Sequence, residues 1–296
     1  MTSGLPARPT QPAPVAAPAR RARTIRERLG PAYRRTRDLA LTPVYAFYLQ
    51  RLRARVLSEP RPEHIAVIMD GNRRWATAEG FADPGAGHRA GAEKALELID
   101  WCAEMGIHEI TLWALSLENL GRPADEVGTI TDVAEEAIRA MADGRRKTRL
   151  PIHLRVIGRC DLLPEGLRSV VESSANLSRE DGTMDVTIAL AYSGRDELLE
   201  AFRSTVRAAA ASGVPAEGIA DELTAESVAD HLYTRGSSEP DLIIRTSGEV
   251  RLSGFLPWQS VYSELQFCEA YWPAFREIDF LRALRTFQLR ARRFGR

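Results

Sequence analysis

His64-Ile-Ala-Val-Ile-Met-Asp-Gly-Asn-Arg-Arg-Trp-Ala76 reads as a buried strand that stops abruptly in charge and glycine. Ile65 to Met69 is a short apolar run without polar alternation, the pattern of a strand in a parallel sheet covered by helices on both faces. In open α/β sheets, ligands bind beyond the carboxyl ends of the strands. Asp70 therefore stands where a metal or a substrate is expected. Gly71 allows the backbone to approach a ligand closely. Arg73 and Arg74 carry planar guanidinium forks that match phosphate oxygens. A carboxylate beside two arginines predicts a metal–phosphate site.

Strand-like and helix-like segments alternate after Pro62. Strands are expected at 65–69, 109–115, 152–157, 184–190, 241–245 and 262–267. Helices are expected at 87–105, 124–142, 164–177, 194–211, 224–233 and 274–291. Such alternation predicts an α/β fold, a mostly parallel sheet flanked by helices, within one domain over residues 41–296. Residues 1–40, rich in Pro, Ala and Arg at their start, read as a disordered basic tail. The domain opens with a helix over 42–57, where Val44, Tyr45, Phe47, Tyr48, Leu52 and Val56 stand among Arg51, Arg53 and Arg55. Such a helix either packs on its own domain or makes a peripheral contact with a membrane surface or a substrate's lipid tail.

Composition narrows the field. The chain of 296 residues balances 40 basic against 40 acidic side chains, so nucleic acid is not an expected partner. Neutrality hides an asymmetry, because residues 1–60 hold 12 arginines against Glu27, Asp38 and Glu59. Cys102, Cys160 and Cys268 have no metal-ligand spacing and cannot all pair, which predicts a reducing compartment. No apolar run reaches the roughly 18 residues of a membrane span, and no apolar signal core follows the N-terminal charges. A cytoplasmic protein is expected.

Two further segments repeat the strand-into-polar pattern. Ile110-Thr-Leu-Trp-Ala-Leu-Ser-Leu-Glu-Asn-Leu-Gly-Arg-Pro123 ends in Ser116, Glu118, Asn119 and Arg122, with Pro123 opening a helix. Asp241-Leu-Ile-Ile-Arg-Thr-Ser-Gly-Glu-Val-Arg-Leu-Ser-Gly-Phe255 places Arg245 at a strand end, followed by a Ser/Gly turn, Arg251 and Ser253. Two arginines with hydroxyls and free backbone N–H groups make a nest suited to a diphosphate. His88 opens a helix, where an N-terminus favours an anion. Glu264 is a candidate second metal carboxylate or an ordinary surface glutamate. No G-x-S-x-G, H-E-x-x-H or Walker pattern occurs. Two basic strand ends and two separated carboxylates suit transfer chemistry on diphosphates with Mg²⁺.

Together these segments resemble the cis-prenyltransferase family, which includes undecaprenyl diphosphate synthase. The matching residues are H-I-A-V-I-M-D-G-N-R-R-W-A at 64–76, S-L-E-N-L-G-R-P at 116–123, and D-L-I-I-R-T-S-G-E-V-R-L-S-G-F-L-P-W-Q-S-V-Y-S-E at 241–264. The resemblance implies a six-stranded parallel sheet, a hydrophobic tunnel for a growing chain, and a homodimer. It implies that Asp70 positions Mg²⁺, with Glu264 as the second carboxylate near the metal. It also implies that Gly71, Asn72, Arg73 and Arg74 cradle an allylic diphosphate, with Trp75 completing the motif. Asn119 matches the residue implicated in removing a proton from isopentenyl diphosphate, and Ser116 lies next to it. Arg245, Arg251 and Ser253 match the grip on isopentenyl diphosphate. Leu117, Glu118, Leu120, Arg122 and Leu252 are taken with them as substrate-binding. Arg293-Phe-Gly295 resembles a family tail that reaches the partner subunit.

Departures from the pattern are informative. Arg73 stands where many bacterial members have glycine. The segment Phe81–Gly87 lacks an arginine that usually binds the allylic diphosphate, leaving Arg73 or Arg89 as replacements. Leu120 occupies a position that is often aromatic. These features are similar to the short-chain actinobacterial branch, and Ala114, Leu120 and Met184 are candidate walls for setting product length. Three other readings compete: coupling of two allylic diphosphates to a branched product, a non-catalytic partner subunit of the same family, and a phosphatase using Asp70 as nucleophile.

Overall fold

The computed structural model describes residues 31–142, 151–177 and 184–291. Six strands, β1 His64–Ile68, β2 Glu109–Trp113, β3 Ile152–Ile157, β4 Met184–Ala189, β5 Leu242–Arg245 and β6 Glu264–Phe267, form one sheet in the order β3-β4-β2-β1-β5-β6. Every pairing is parallel. The expected sheet is therefore all-parallel, and each expected strand is present within a residue or two of its predicted ends. Ile68 lies level with Trp113 on one side and Arg245 on the other. The chain leaves β1 toward β2 on one side and returns on the other side as β5, so the switch in winding falls at β1. The crevice above its C-terminal end is where ligands collect in such sheets.

The helices are α1 Pro31–Leu57, α2 Asn72–Glu79, α3 Gly85–Glu104, α4 Ala124–Ala142, α5 Glu165–Leu177, α6 Gly194–Ala211, α7 Ala225–Ala229 and α8 Glu277–Ala291. The chain divides into a unit of residues 1–48 and a unit of residues 49–296, and the sheet lies in the second. α1 begins at Pro31 rather than at Thr42, so the last part of the expected tail is helical, and Pro43 lies inside the helix. Residues 1–30 lie outside the described residues, as does Arg293-Phe-Gly295. No helix of the described residues is long and apolar enough to cross a membrane.

Strand alternation sends side chains to two different cores. Ile65 and Val67 of β1, Ile110 and Leu112 of β2, and Leu242 and Ile244 of β5 join the larger one. It is completed by Leu98 and Ile99 of α3, Ile138 of α4, Leu167 of α5, Leu281 of α8, and Leu52 and Val56 of α1. Ala66, Ile68 and Ile243 face the other way, onto Tyr192, Phe255 and Leu256. Complete burial of one such side chain stabilises by about 1.5–3 kcal/mol, which fixes the strand register and with it the height of Asp70 and Arg245.

Candidate active site

Asp70 follows β1 directly and is half-buried. Its Oδ2 accepts from Arg245 Nη2 at 2.8 Å and its Oδ1 from Arg74 Nη2 at 3.1 Å. Burial pushes its carboxyl up, but hydrogen bonds from Arg245 and Ser247 and the charges of Arg245 and Arg74 outweigh that, so its pKa falls below the ordinary value. The segment is held from beneath by Thr246, whose Oγ1 accepts from Asp70 N at 3.0 Å and donates to Asp70 O at 2.7 Å.

Gly71 starts α2 with φ 105°, and a Cβ there would lie 2.8 Å from Tyr271 Cδ1 and 3.1 Å from Ser247 Cβ. Glycine is therefore required by both conformation and space. The unexpected helix α2 turns Arg74 back across Asp70. Arg74 Nη2 also donates to Ser247 Oγ at 2.8 Å, Nη1 reaches Glu249 at 3.3 Å, and the guanidinium lies 5.6 Å from the Tyr271 ring centroid. Glu249, which the sequence reading quoted without singling out, thus ties Arg74 to Arg251.

Arg245 is buried to 5% exposure, and its Nη1 donates to Arg251 O at 2.5 Å and Ser253 Oγ at 2.8 Å. Its Nε has no acceptor among the described residues. Ser247 and Ser253 adopt left-handed backbone, with φ of 80° and 53°. Strain of this kind costs roughly 1–3 kcal/mol per residue and persists where the surroundings over-determine it.

These groups border an open polar cavity. Arg73, Arg74, Arg122, Arg245 and Arg251 line it, and among the described residues Asp70 is the sole carboxylate that does. Gly71, Asn72, His88, Ser116, Asn119 and Ser253 also contribute to its wall. Ser116 Oγ accepts from Asn119 N at 3.3 Å and so caps the 3-10 turn Leu117–Gly121. Glu126, absent from the expected site, pairs with Arg122 at 2.8 Å and Arg73 at 3.3 Å. Arg89 is not on the wall; it pairs with Asp83. Of the two candidate replacements for the missing arginine, Arg73 is the one that reaches the cavity.

Met69, Asn72, His88 and Ala114 line both this cavity and an adjoining apolar one. The apolar chamber runs between β2, β4, α3 and α4 toward Ile138 and Met141. Burial and the charge of Arg122 hold the His88 imidazole below its ordinary pKa, and its Nε2 has no acceptor among the described residues. Ala114 is thus a chamber wall, whereas Leu120 and Met184 do not border the chamber.

Several expected residues stand elsewhere. Glu264 is the first residue of β6, level with Leu242 at the N-terminal end of the sheet, and it pairs with Arg290 at 2.9 Å. Within one chain it does not meet Asp70, because the expected strand at 262–267 starts two residues later and leaves Glu264 at its beginning. Trp75 stacks on Phe81 at 5.5 Å. Leu117 and Leu120 turn into the large core, Leu252 packs against the opposite one, and Glu118 is exposed. None of these five lines the polar cavity.

A divalent cation fits this chemistry at Asp70. No group of three or more His, Cys, Asp or Glu able to hold a metal occurs among the described residues.

A profile of the family described as "Putative undecaprenyl diphosphate synthase" matches residues 68–295. The chain is 44% identical over 260 residues to isoprenyl transferase 1 of Corynebacterium diphtheriae, covering 88% of this chain and 97% of that one. It is 46% identical over 254 residues to the (2Z,6E)-farnesyl diphosphate synthase of Thermobifida fusca, covering 86% and 97%. Among solved structures it resembles lavandulyl diphosphate synthase from Lavandula x intermedia in complex with dimethylallyl diphosphate. The TM-score is 0.71 and the identity 32%, covering 77% of this chain and 95% of that one.

Proposed function

The chain belongs to the undecaprenyl diphosphate synthase family, and from that premise we propose that it condenses isopentenyl diphosphate with an allylic diphosphate to a cis-prenyl diphosphate. The observation that carries this reading is the junction of the two cavities. A five-arginine mouth opens through Met69, Asn72, His88 and Ala114 into an apolar chamber. Such a shape suits a substrate with a diphosphate head and a hydrocarbon tail.

In this reading Arg73, Arg74 and the N-terminus of α2 hold the allylic diphosphate, with its tail in the chamber. Arg245, Arg251 and Ser253 hold the isopentenyl diphosphate. The allylic C1–O bond breaks and its electron pair leaves with diphosphate. The isopentenyl alkene supplies the pair for the new C–C bond, and the carbon beside the resulting cation then gives a proton to the released diphosphate while its C–H pair closes the new double bond. Asn119 and Ser116 orient that C–H. The arginines stabilise charge on the leaving oxygen, the electrostatic role that dominates many enzyme sites. Mg²⁺, shared between Asp70 and the substrate, would add to that neutralisation.

A homodimer is part of the proposal. Leu199, Phe202 and Val206 form an exposed apolar stripe on α6, and Tyr262 is 88% exposed. These features support a second copy as partner. The exposure of Val44, Tyr45, Phe47 and Tyr48 supports a peripheral membrane contact through α1.

Labelled isopentenyl diphosphate, Mg²⁺ and a panel of allylic primers of increasing length test the reading. Product with at least one primer is expected, and no product with any primer refutes it. Dimethylallyl diphosphate supplied alone should give nothing, which separates elongation from allylic–allylic coupling.

A further inference from the structure

Tyr271 stands between β6 and the 3-10 turn Trp272–Ala274, lines the polar cavity, and has no part in the steps above. Its neighbours in the chain fix it firmly. Trp272 is fully buried; its backbone N–H donates to Asp70 O at 3.0 Å and its Nε1 to Gly91 O at 2.8 Å. On the other side Ala270 O accepts from Ser247 N at 2.7 Å. Pro273 opens the turn and restricts the backbone before it. The tyrosine is thus anchored from both sides next to the exit of β1.

Its ring lies against the backbone of Gly71. A Cβ at position 71 would fall 2.8 Å from Tyr271 Cδ1 and 3.2 Å from Tyr271 Cα, so the ring fills the place of a side chain there. Three residues on, the Arg74 guanidinium lies over the same ring, 5.6 Å from its centroid. Arg74 stands in the first turn of α2, where the helix dipole opposes a cation. Its side chain is 44% exposed, and Asp70 and Glu249 draw it in two directions. Holding a long, exposed side chain in one rotamer costs conformational entropy. An aromatic face attracts a guanidinium without using any of its N–H groups. The donor edge of Arg74 therefore stays available to Asp70, Ser247 and Glu249, and to phosphate oxygens.

We propose that Tyr271 is a positioning residue for Arg74, and through it for the allylic diphosphate. This rests on the functional reading above. The aromatic ring carries the effect, and the hydroxyl is not needed for it. Arg245 is fixed instead by Asp70, Ser253 Oγ and the Arg251 carbonyl. The two substrates should therefore respond differently when the ring is removed.

The test uses the full chain with each substrate titrated separately. Wild-type turnover tests the functional reading by itself; the ratio of the two KM values in wild type and variant tests Tyr271. Tyr271→Leu keeps an apolar side chain over Gly71 but removes the aromatic face. It should raise the allylic KM about three- to tenfold, with the KM for isopentenyl diphosphate within about twofold. Tyr271→Phe restores the face and should bring the allylic KM back to within about twofold of wild type. In an Arg74→Gln background, Tyr271→Leu should add less than about twofold, because the arginine it acts through is gone. Equal rises in both KM values, an unchanged ratio, a Tyr271→Phe variant as defective as Tyr271→Leu, or a full further loss in the Arg74→Gln background would overturn the proposal.

Discussion

At the C-terminal end of the sheet Asp70 accepts from Arg245 and Arg74 beside an open cavity, and Arg245 Nε and His88 Nε2 have no acceptor among the described residues. At the N-terminal end Asp241 accepts from the backbone N–H of Glu63 at 2.7 Å and of His64 at 3.1 Å. The His64 ring spans Ser238 O at 2.8 Å and Thr111 Oγ1 at 2.9 Å, while Ser238 Oγ donates to Glu109 at 2.6 Å. None of these residues lines either cavity of the site. The same residue types close on one another at one end and keep capacity for a ligand at the other. A satisfied buried network contributes rigidity, whereas donors left over beside a cavity can meet a substrate.

The largest test of this contrast is Asp70→Asn. It should lower kcat by about 10²–10³, the scale of losing one electrostatic group in a transition state. It should also lower the melting temperature, because Arg245 then stays buried without its anion. Near-normal turnover in steady-state assays would break the distinction at its centre.

Asp241→Ala is the matching change at the other end. Two backbone donors lose their acceptor, so denaturant titration should show a loss of about 1–3 kcal/mol. Both KM values should stay within about twofold, since the same principle confines the cost to folding. A substrate-specific KM change would mean the two ends are coupled.

His64 provides a smaller, pH-dependent probe. Burial holds its pKa below the ordinary value, with Glu109 opposing that shift, so the fold favours the neutral ring. Its stabilisation is present above the unfolded pKa of about 6.5 and is lost as pH falls toward the folded value. Wild-type melting temperatures should therefore decline below that point, with a shallower decline for His64→Asn. Identical slopes would remove His64 from the account.

The smallest effect is expected for Glu264→Gln, which loosens an exposed pair with Arg290 of a kind worth about 1 kcal/mol or less. Within one chain the rate should change by less than about threefold on that scale. A loss of tenfold or more, measured at saturating Mg²⁺, would place Glu264 in the site of a second copy.

Much of the fold was legible because parallel strands are continuous apolar runs. Ile65–Ile68 and Leu242–Ile244 admit no other reading once helices lie on both sides. Asp70, Arg74, Arg245 and Arg251 were legible for a related reason: each follows such a run, and strand ends converge. α2 was not, because Gly71 starts it without a side-chain cap and two arginines stand where the helix dipole disfavours them. Glu264 could not be placed from sequence, because an apolar run does not say at which end of its strand a flanking carboxylate stands; it opens β6, level with Leu242. Glu126 resembled any acidic residue near a helix start, and only its reach to Arg73 sets it apart.

The chain as a whole is electrically neutral, yet among the described residues its cavity mouth gathers five arginines against Asp70 and the flanking Glu126 and Glu249. Its long-range field is therefore that of a patch rather than of a net charge. A di-anionic or tri-anionic ligand is drawn to one side of the molecule from beyond contact distance. Added salt screens that pull within about 10 Å at 0.1 M. Ionic strength should thus slow capture of the ligand more than it slows the bond-making that follows.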